Sequence, residues 1–167
     1  MGLEEAIKTA IEFEAQVSDV YRQATENTSD PIGKRTFGVL ADEEQQHLNY
    51  LKSRLDELQR TGSISAEKLD TAIPPREIIR EGISKLEAKM EKKDRGGELQ
   101  LLGKALEVEN DTTNFYRKMV SELSAEGQAL FARFVEIEEG HLAIVQAEID
   151  SLSRTGYWFD IKEFDME

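Results

Sequence analysis

Asp42-Glu43-Glu44-Gln45-Gln46-His47-Leu48 and Ile137-Glu138-Glu139-Gly140-His141-Leu142 contain both histidines of this chain, and in each stretch a glutamate precedes the histidine by three residues. Positions i and i+3 share one face of an α-helix, so Glu44 with His47, and Glu138 with His141, can each converge on one point in space. The surrounding face is apolar in both cases. Phe37, Leu40, Ala41, Leu48 and Leu51 flank the first pair, and Phe131, Phe134, Val135, Leu142 and Val145 flank the second. Glutamate is common here, 24 of 167 residues, so one such pair carries little weight; two pairs in matching apolar settings carry more.

The match extends outward into a repeat. Phe37, Glu44, His47 and Leu48 correspond to Phe131, Glu138, His141 and Leu142 at an offset of 94 residues. Ala10-Ile11-Glu12-Phe13-Glu14 with Tyr21-Arg22 corresponds to Ala105-Leu106-Glu107-Val108-Glu109 with Tyr116-Arg117 at an offset of 95. Two helical hairpins therefore repeat, and a bundle built from them has approximate twofold symmetry, with matching residues facing one another across its axis.

Four stretches carry helical periodicity. The first spans Leu3 to Glu26, with Ile7, Ile11, Glu14, Ser18 and Tyr21 on one face. The second starts at Asp30-Pro31, an N-cap followed by a proline tolerated in the first turn, and closes at Gly62. The third follows Gly96-Gly97, and the fourth runs from Ala125 to Arg154. Two connections are short and join antiparallel neighbours. The third, residues 63–96, is long and includes a candidate short helix from Arg76 to Lys92; a crossover of this length makes the second and third helices parallel. The expectation is an all-α fold, a four-helix bundle over residues 1–154 with ferritin-like connectivity. The aromatic and acidic tail, 155–167, is expected to pack on the bundle or on a partner subunit.

All four inner stripes are interrupted near the middle by a glutamate: Glu14, Glu44, Glu109 and Glu138. An ionised carboxylate in an apolar interior is very costly unless it is paired or binds metal. No lysine or arginine occupies these stripes, so a metal is the simplest counter-charge. Four glutamates carry −4 and two divalent ions carry +4. Glu14, Glu44, His47, Glu109, Glu138 and His141 are therefore the candidate metal ligands, with one histidine and one terminal glutamate per ion and two glutamates bridging. Oxygen ligands with two imidazoles suit iron or manganese, and zinc also fits. Such a pair leaves room for peroxide or dioxygen between the ions.

Tyr21 and Tyr116, two turns beyond Glu14 and Glu109, are candidates to hold metal-bound carboxylates from behind; no catalytic residue beyond the ligands is identified. Glu43 and Glu139, with mixed neighbours, are weaker candidates for the same supporting role. Glu12 and Glu107 have polar faces and are expected in solvent. Gly38, Gly103 and Gly140 fall inside helices, where they permit close helix approach.

Hydrophobic residues make up 39% and charged residues 33%, a globular balance over a length that makes one domain. The net charge of −13 repels nucleic-acid phosphates and anionic lipid. No cysteine occurs, which removes disulfide and thiolate chemistry. The N-terminus lacks a signal-peptide pattern and no apolar run has membrane-spanning length, so a cytoplasmic protein is expected.

Taken together, Glu14 with Tyr21, Glu44-x-x-His47, Glu109 with Tyr116, and Glu138-x-x-His141 resemble the ferritin-like di-iron carboxylate superfamily, and most closely its rubrerythrin branch. The resemblance covers about Leu3 to Arg154. It implies a non-haem di-iron oxidoreductase acting on hydrogen peroxide or dioxygen, with a ferroxidase or iron-storage role as the alternative; a metal-free structural bundle is the third reading. Two departures matter. Typical rubrerythrins carry a rubredoxin-like domain with four cysteines, whereas this chain has none, so its electron donor is a separate protein or small molecule. They also carry an extra glutamate one turn along the third helix, where this chain has Ala105, Leu106, Thr112 and Thr113, so the ligand exchange that depends on that residue is not expected. A homodimer is the expected assembly.

Overall fold

A computed structural model describes residues 1–65, 68–74, 77–79 and 96–159. Among them the architecture is all-α, carried by α1 (Leu3–Asn27), α2 (Pro31–Thr61), α3 (Gly96–Glu122) and α4 (Ala125–Thr155). The ends of α2 follow the sequence signals, whereas α3 already includes Gly96 and Gly97, which were expected to precede it. Asp30 caps α2, its carboxylate accepting from the amides of Ile32 (2.8 Å) and Gly33 (3.4 Å). Gly62 and Gly156 close α2 and α4 in the left-handed region, φ 83° and 78°, where a side chain would be strained.

Side-chain pairs set the helix directions. Tyr21 meets Phe37 while Glu14 meets His47, so α1 and α2 are antiparallel. Tyr21 meets Glu109 while Glu14 meets Tyr116, so α1 and α3 are antiparallel as well. Therefore α2 and α3 run parallel, and the long connection between them is a crossover. Tyr116 against Phe131, with Glu109 against His141, makes α3 and α4 antiparallel. The candidate helix from Arg76 to Lys92 falls mostly outside the described residues, of which 77–79 are helical.

The apolar interior divides into two clusters with the glutamate and histidine layer between them. One holds Val17, Tyr21, Phe37, Leu40, Leu102, Ile144, Leu152 and the tail residues Trp158 and Phe159. The other holds Ile7, Leu51, Tyr116, Met119, Phe131, Phe134 and Ile137. The described part of the tail thus packs on its own helices, with Trp158 edge-on to Phe37 at 5.3 Å; residues 160–167 lie outside the described ones.

The crossover closes over the α2–α4 seam. Arg133 of α4 donates two hydrogen bonds to the Leu69 carbonyl (3.0 and 2.7 Å). Thr71 and Ala72 bind Glu43 of α2, and the Pro74 carbonyl passes 3.3 Å from where a Cβ on Gly140 would lie. Of Gly38, Gly103 and Gly140, only Gly140 serves close approach; a Cβ at Gly38 or Gly103 would meet nothing within 4 Å. No described helix is long and apolar enough to cross a membrane.

Candidate metal centre

Each helix brings its interrupting acid to the same level. Glu14, Glu44, His47, Glu109, Glu138 and His141 are all buried, none more than 1% exposed. Their donor atoms form two groups. Glu14, Glu44, His47 and Glu138 bring ligand atoms within 4.8 Å of one another, and so do Glu44, Glu109, Glu138 and His141. Glu44 and Glu138 belong to both groups, which is the geometry of bridging carboxylates, while Glu14 and Glu109 each belong to one.

The imidazoles stack with centroids 5.5 Å apart and planes 14° from parallel. His47 Nδ1 lies 3.3 Å from Glu138 Oε1 and 3.5 Å from oxygens of Glu14 and Glu44. His141 Nδ1 lies 2.9 Å from Glu44 Oε1, 3.2 Å from Glu109 Oε1 and 3.5 Å from Glu138 Oε2. Both tyrosines take carboxylate partners, but across the interior rather than along their own helices. Tyr21 donates to Glu109 (2.6 Å) and Tyr116 to Glu14 (2.5 Å), so each hairpin's tyrosine holds the other's terminal glutamate.

Burial pushes every carboxyl here upward, and the neighbours then separate them. For Glu14, burial is outweighed by its contact with the Glu44 carboxyl, the charge of His47 and the hydrogen bond from Tyr116, which hold its pKa at about 2. Glu109 is likewise lowered against burial, by Glu138, His141 and Tyr21. Glu44 is pushed up to about 8 by burial and by the charges of Glu14 and Glu109. Glu138 rises well above the carboxylate range through burial and the charges of Glu109, Glu44 and Glu14. Burial alone would lower both histidines, but the glutamates raise them well above 6.5. Without metal, the layer thus holds two ionised acids, two neutral acids and two imidazolium groups.

That arrangement leaves many donor atoms unused. Glu14 Oε2, Glu44 Oε2, Glu109 Oε2, both oxygens of Glu138 and both nitrogens of His47 are buried without a hydrogen-bond partner. Buried polar atoms are nearly always satisfied, so seven in one layer require an explanation. Two cations would supply it for six of them, the five carboxylate oxygens and His47 Nδ1, which surround two focal points; a ring that binds through Nδ1 leaves His47 Nε2 out. Among the described residues no lysine or arginine pairs with any of the six side chains. Arg54, the one buried arginine among the described residues, is bound to Ser65 and Glu57.

Glu43 supports this layer and Glu139 does not. The Glu43 carboxylate lies 2.8 Å from His141 Nε2 and accepts from the Thr71 hydroxyl (2.6 Å) and the Ala72 amide. Burial raises it, but these bonds and the His141 charge hold it at about 2. Its oxygen also comes within 4.8 Å of nitrogens on both histidines, yet its existing bonds mark it as an orienting group rather than a ligand. Glu139 is half-buried and pairs with Arg117 at 3.6 Å. Glu12 and Glu107 are exposed, as their polar neighbours imply. Sequence reasoning missed Thr71 and Ala72, which sit in the crossover without periodicity. Comparison with known protein families, curated proteins and solved structures finds no match for this chain.

Proposed function

We propose that this chain is a ferritin-like four-helix bundle holding a dinuclear metal centre, and that with iron it is an oxidoreductase whose oxidant is hydrogen peroxide or dioxygen, as in the rubrerythrin branch. The observation that carries the reading is the layer of six buried, unpartnered ligand atoms, five carboxylate oxygens and His47 Nδ1. Glu14 and His47 serve one ion, Glu109 and His141 the other, and Glu44 and Glu138 both. The donor set is four carboxylates and two imidazoles, which suits iron or manganese and admits zinc. A ferrous pair supplies two electrons at one place, the number that reduces peroxide to water.

The protein's own part is positional and protic. Burial and the adjacent carboxylates hold the Tyr21 and Tyr116 phenols protonated, well above pH 10, so each remains a donor beside the centre. The two apolar clusters exclude bulk water from the layer. With no cysteine in the chain, reducing equivalents come from a separate donor.

The test is anaerobic loading with ferrous ion followed by titration with peroxide. Two irons per chain, oxidised together by one peroxide, support the reading. Glu44→Ala with His47→Ala should abolish binding of the pair; retention of two tight ions by that double variant would sink it. Sizing the native protein separates a dimeric oxidoreductase from a shell-forming iron store.

A further inference from the structure

The two halves of the centre match in their ligands but not behind them. His141 turns Nδ1 toward Glu44 and Glu109 and Nε2 toward Glu43, at 2.8 Å. A neutral imidazole has one N–H, and a carboxylate acceptor at Nε2 keeps the proton there. Nδ1 then presents its lone pair to the layer. Glu43 is itself held by the Thr71 hydroxyl and the Ala72 amide, so the crossover fixes the group that fixes the histidine.

His47 has no such support. Its Nδ1 also faces the carboxylates, but its Nε2 is buried with no hydrogen-bond partner. The ring stands edge-on to Phe134, centroids 5.3 Å apart. The repeat offset of 94 that relates Glu44 to Glu138 relates Glu43 to Ile137, which is 2% exposed within the apolar cluster. Ile137 cannot supply that contact, so His47 presents Nδ1 to the layer with its Nε2 unpartnered in an apolar setting.

We propose that the two metal positions are inequivalent, with Glu43 orienting His141 so that the Glu109–His141 position binds a divalent cation more tightly than the Glu14–His47 position. The inference rests on the dinuclear reading above. Glu43 is a positioning residue here; it acts through His141 and touches no metal.

Metal-free protein titrated with Mn(II), with the free ion followed by its electron paramagnetic resonance, tests this. The wild type should bind two ions in two steps, the first at least about tenfold tighter, as expected for a histidine with an orienting carboxylate. Glu43→Gln should weaken the first step by roughly 10–100-fold while total capacity stays at two. His47→Ala should retain the tight step and His141→Ala should lose it, with helical content checked by circular dichroism.

A spectroscopic readout separates orientation from simple structural support. Co(II)-loaded wild type should show a slowly exchanging, hyperfine-shifted imidazole N–H from His141, and in Glu43→Gln that proton should shift and exchange faster. Two equal steps in the wild type, or an unchanged first step in Glu43→Gln, would overturn the inference while leaving the dinuclear reading intact. A fall to one ion in Glu43→Gln would make Glu43 a ligand and overturn it also. Wild-type capacity below two ions removes the dinuclear reading itself.

Discussion

At the scale of single residues, the four inner glutamates look alike in the sequence and behave differently in the structure. Spacing alone placed Glu44 with His47 and Glu138 with His141, because i and i+3 on one helix are fixed by helical geometry. Which carboxylates are shared depends on how the two hairpins register along the bundle, and no local pattern encodes that. The outcome is that Glu14 and Glu109 are ionised beside imidazolium and tyrosine donors, whereas Glu44 and Glu138 are protonated. The acids therefore should not respond alike to amide substitution. Glu44→Gln and Glu138→Gln replace an acid that must take up a proton on folding by an amide that needs none, and are expected to stabilise the metal-free protein at neutral pH by about 1–3 kcal/mol. Glu14→Gln and Glu109→Gln remove the partner of a buried imidazolium and are expected to cost about 1–3 kcal/mol. All four should weaken metal binding, and denaturant melts with and without Mn(II) will show the division. Equal effects of the four in the metal-free protein would refute the assigned protonation pattern.

At the scale of elements, the ends of α2 were legible because each is marked by a residue with a local job: Asp30 and Pro31 at its start, and Gly62 at its end. The repeat extends to these marks, since Gly62 and Gly156 are separated by the same 94 residues as Glu44 and Glu138. Arg54 reaches forward to Ser65, and Glu148, at the same offset, reaches forward to the Phe159 amide (3.1 Å), so each hairpin ties down the chain that leaves it. The path of the crossover was not legible, because it is held by a backbone carbonyl at Leu69, by Thr71 and Ala72, and by Ile64, Leu69, Ile73 and Ile79, which are buried in the core without a continuous helical spacing. The tail was legible only as aromatic. Its seat is made by Gly33, where a Cβ would lie 2.5 Å from the Trp158 ring. Gly33→Ala should therefore displace Trp158, which donates to Glu98 at 2.5 Å, at a cost of about 1–3 kcal/mol. Trp158 is the single tryptophan, so a red shift of its emission reports the displacement directly. Gly38→Ala, with open space at its Cβ, should instead stabilise by about 1 kcal/mol through helix propensity. If both substitutions leave emission and stability unchanged, the tail does not dock through Gly33.

For the whole molecule, the proposed centre would exchange protons for metal at constant charge, and this would govern how stability depends on pH. Without metal, Glu14 and Glu109 carry −2 and the two imidazolium groups carry +2; with two divalent ions, four carboxylates carry −4 against +4. Binding therefore displaces one proton each from Glu44, Glu138, His47 and His141. Folding of the metal-free chain has to take up those protons. Glu44 titrates near 4.5 when unfolded and at about 8 when folded, so its contribution is complete below 4.5 and is lost as pH rises towards 8. Glu138 follows the same sign with a still higher folded value, and the histidines lose theirs as pH rises above 6.5. Glu14 and Glu43, held at about 2, act oppositely: their contributions are present above 4.5 and disappear as pH falls towards 2. Metal-free stability should thus peak near pH 4.5 to 5 and decline toward alkaline pH, each extra proton held by the folded state contributing about 1.4 kcal/mol per pH unit. Metal reverses the slope, because its ligands must be deprotonated and its affinity grows with pH. At free ion a hundredfold above its dissociation constant, binding adds about 2.7 kcal/mol per site. Melting temperatures measured from pH 5 to 8 should therefore fall in the presence of chelator and hold or rise with Mn(II), and the curves should converge at acid pH, where protons win the site back. Parallel curves across that range would mean that the acids and histidines of this layer neither take up protons on folding nor bind metal.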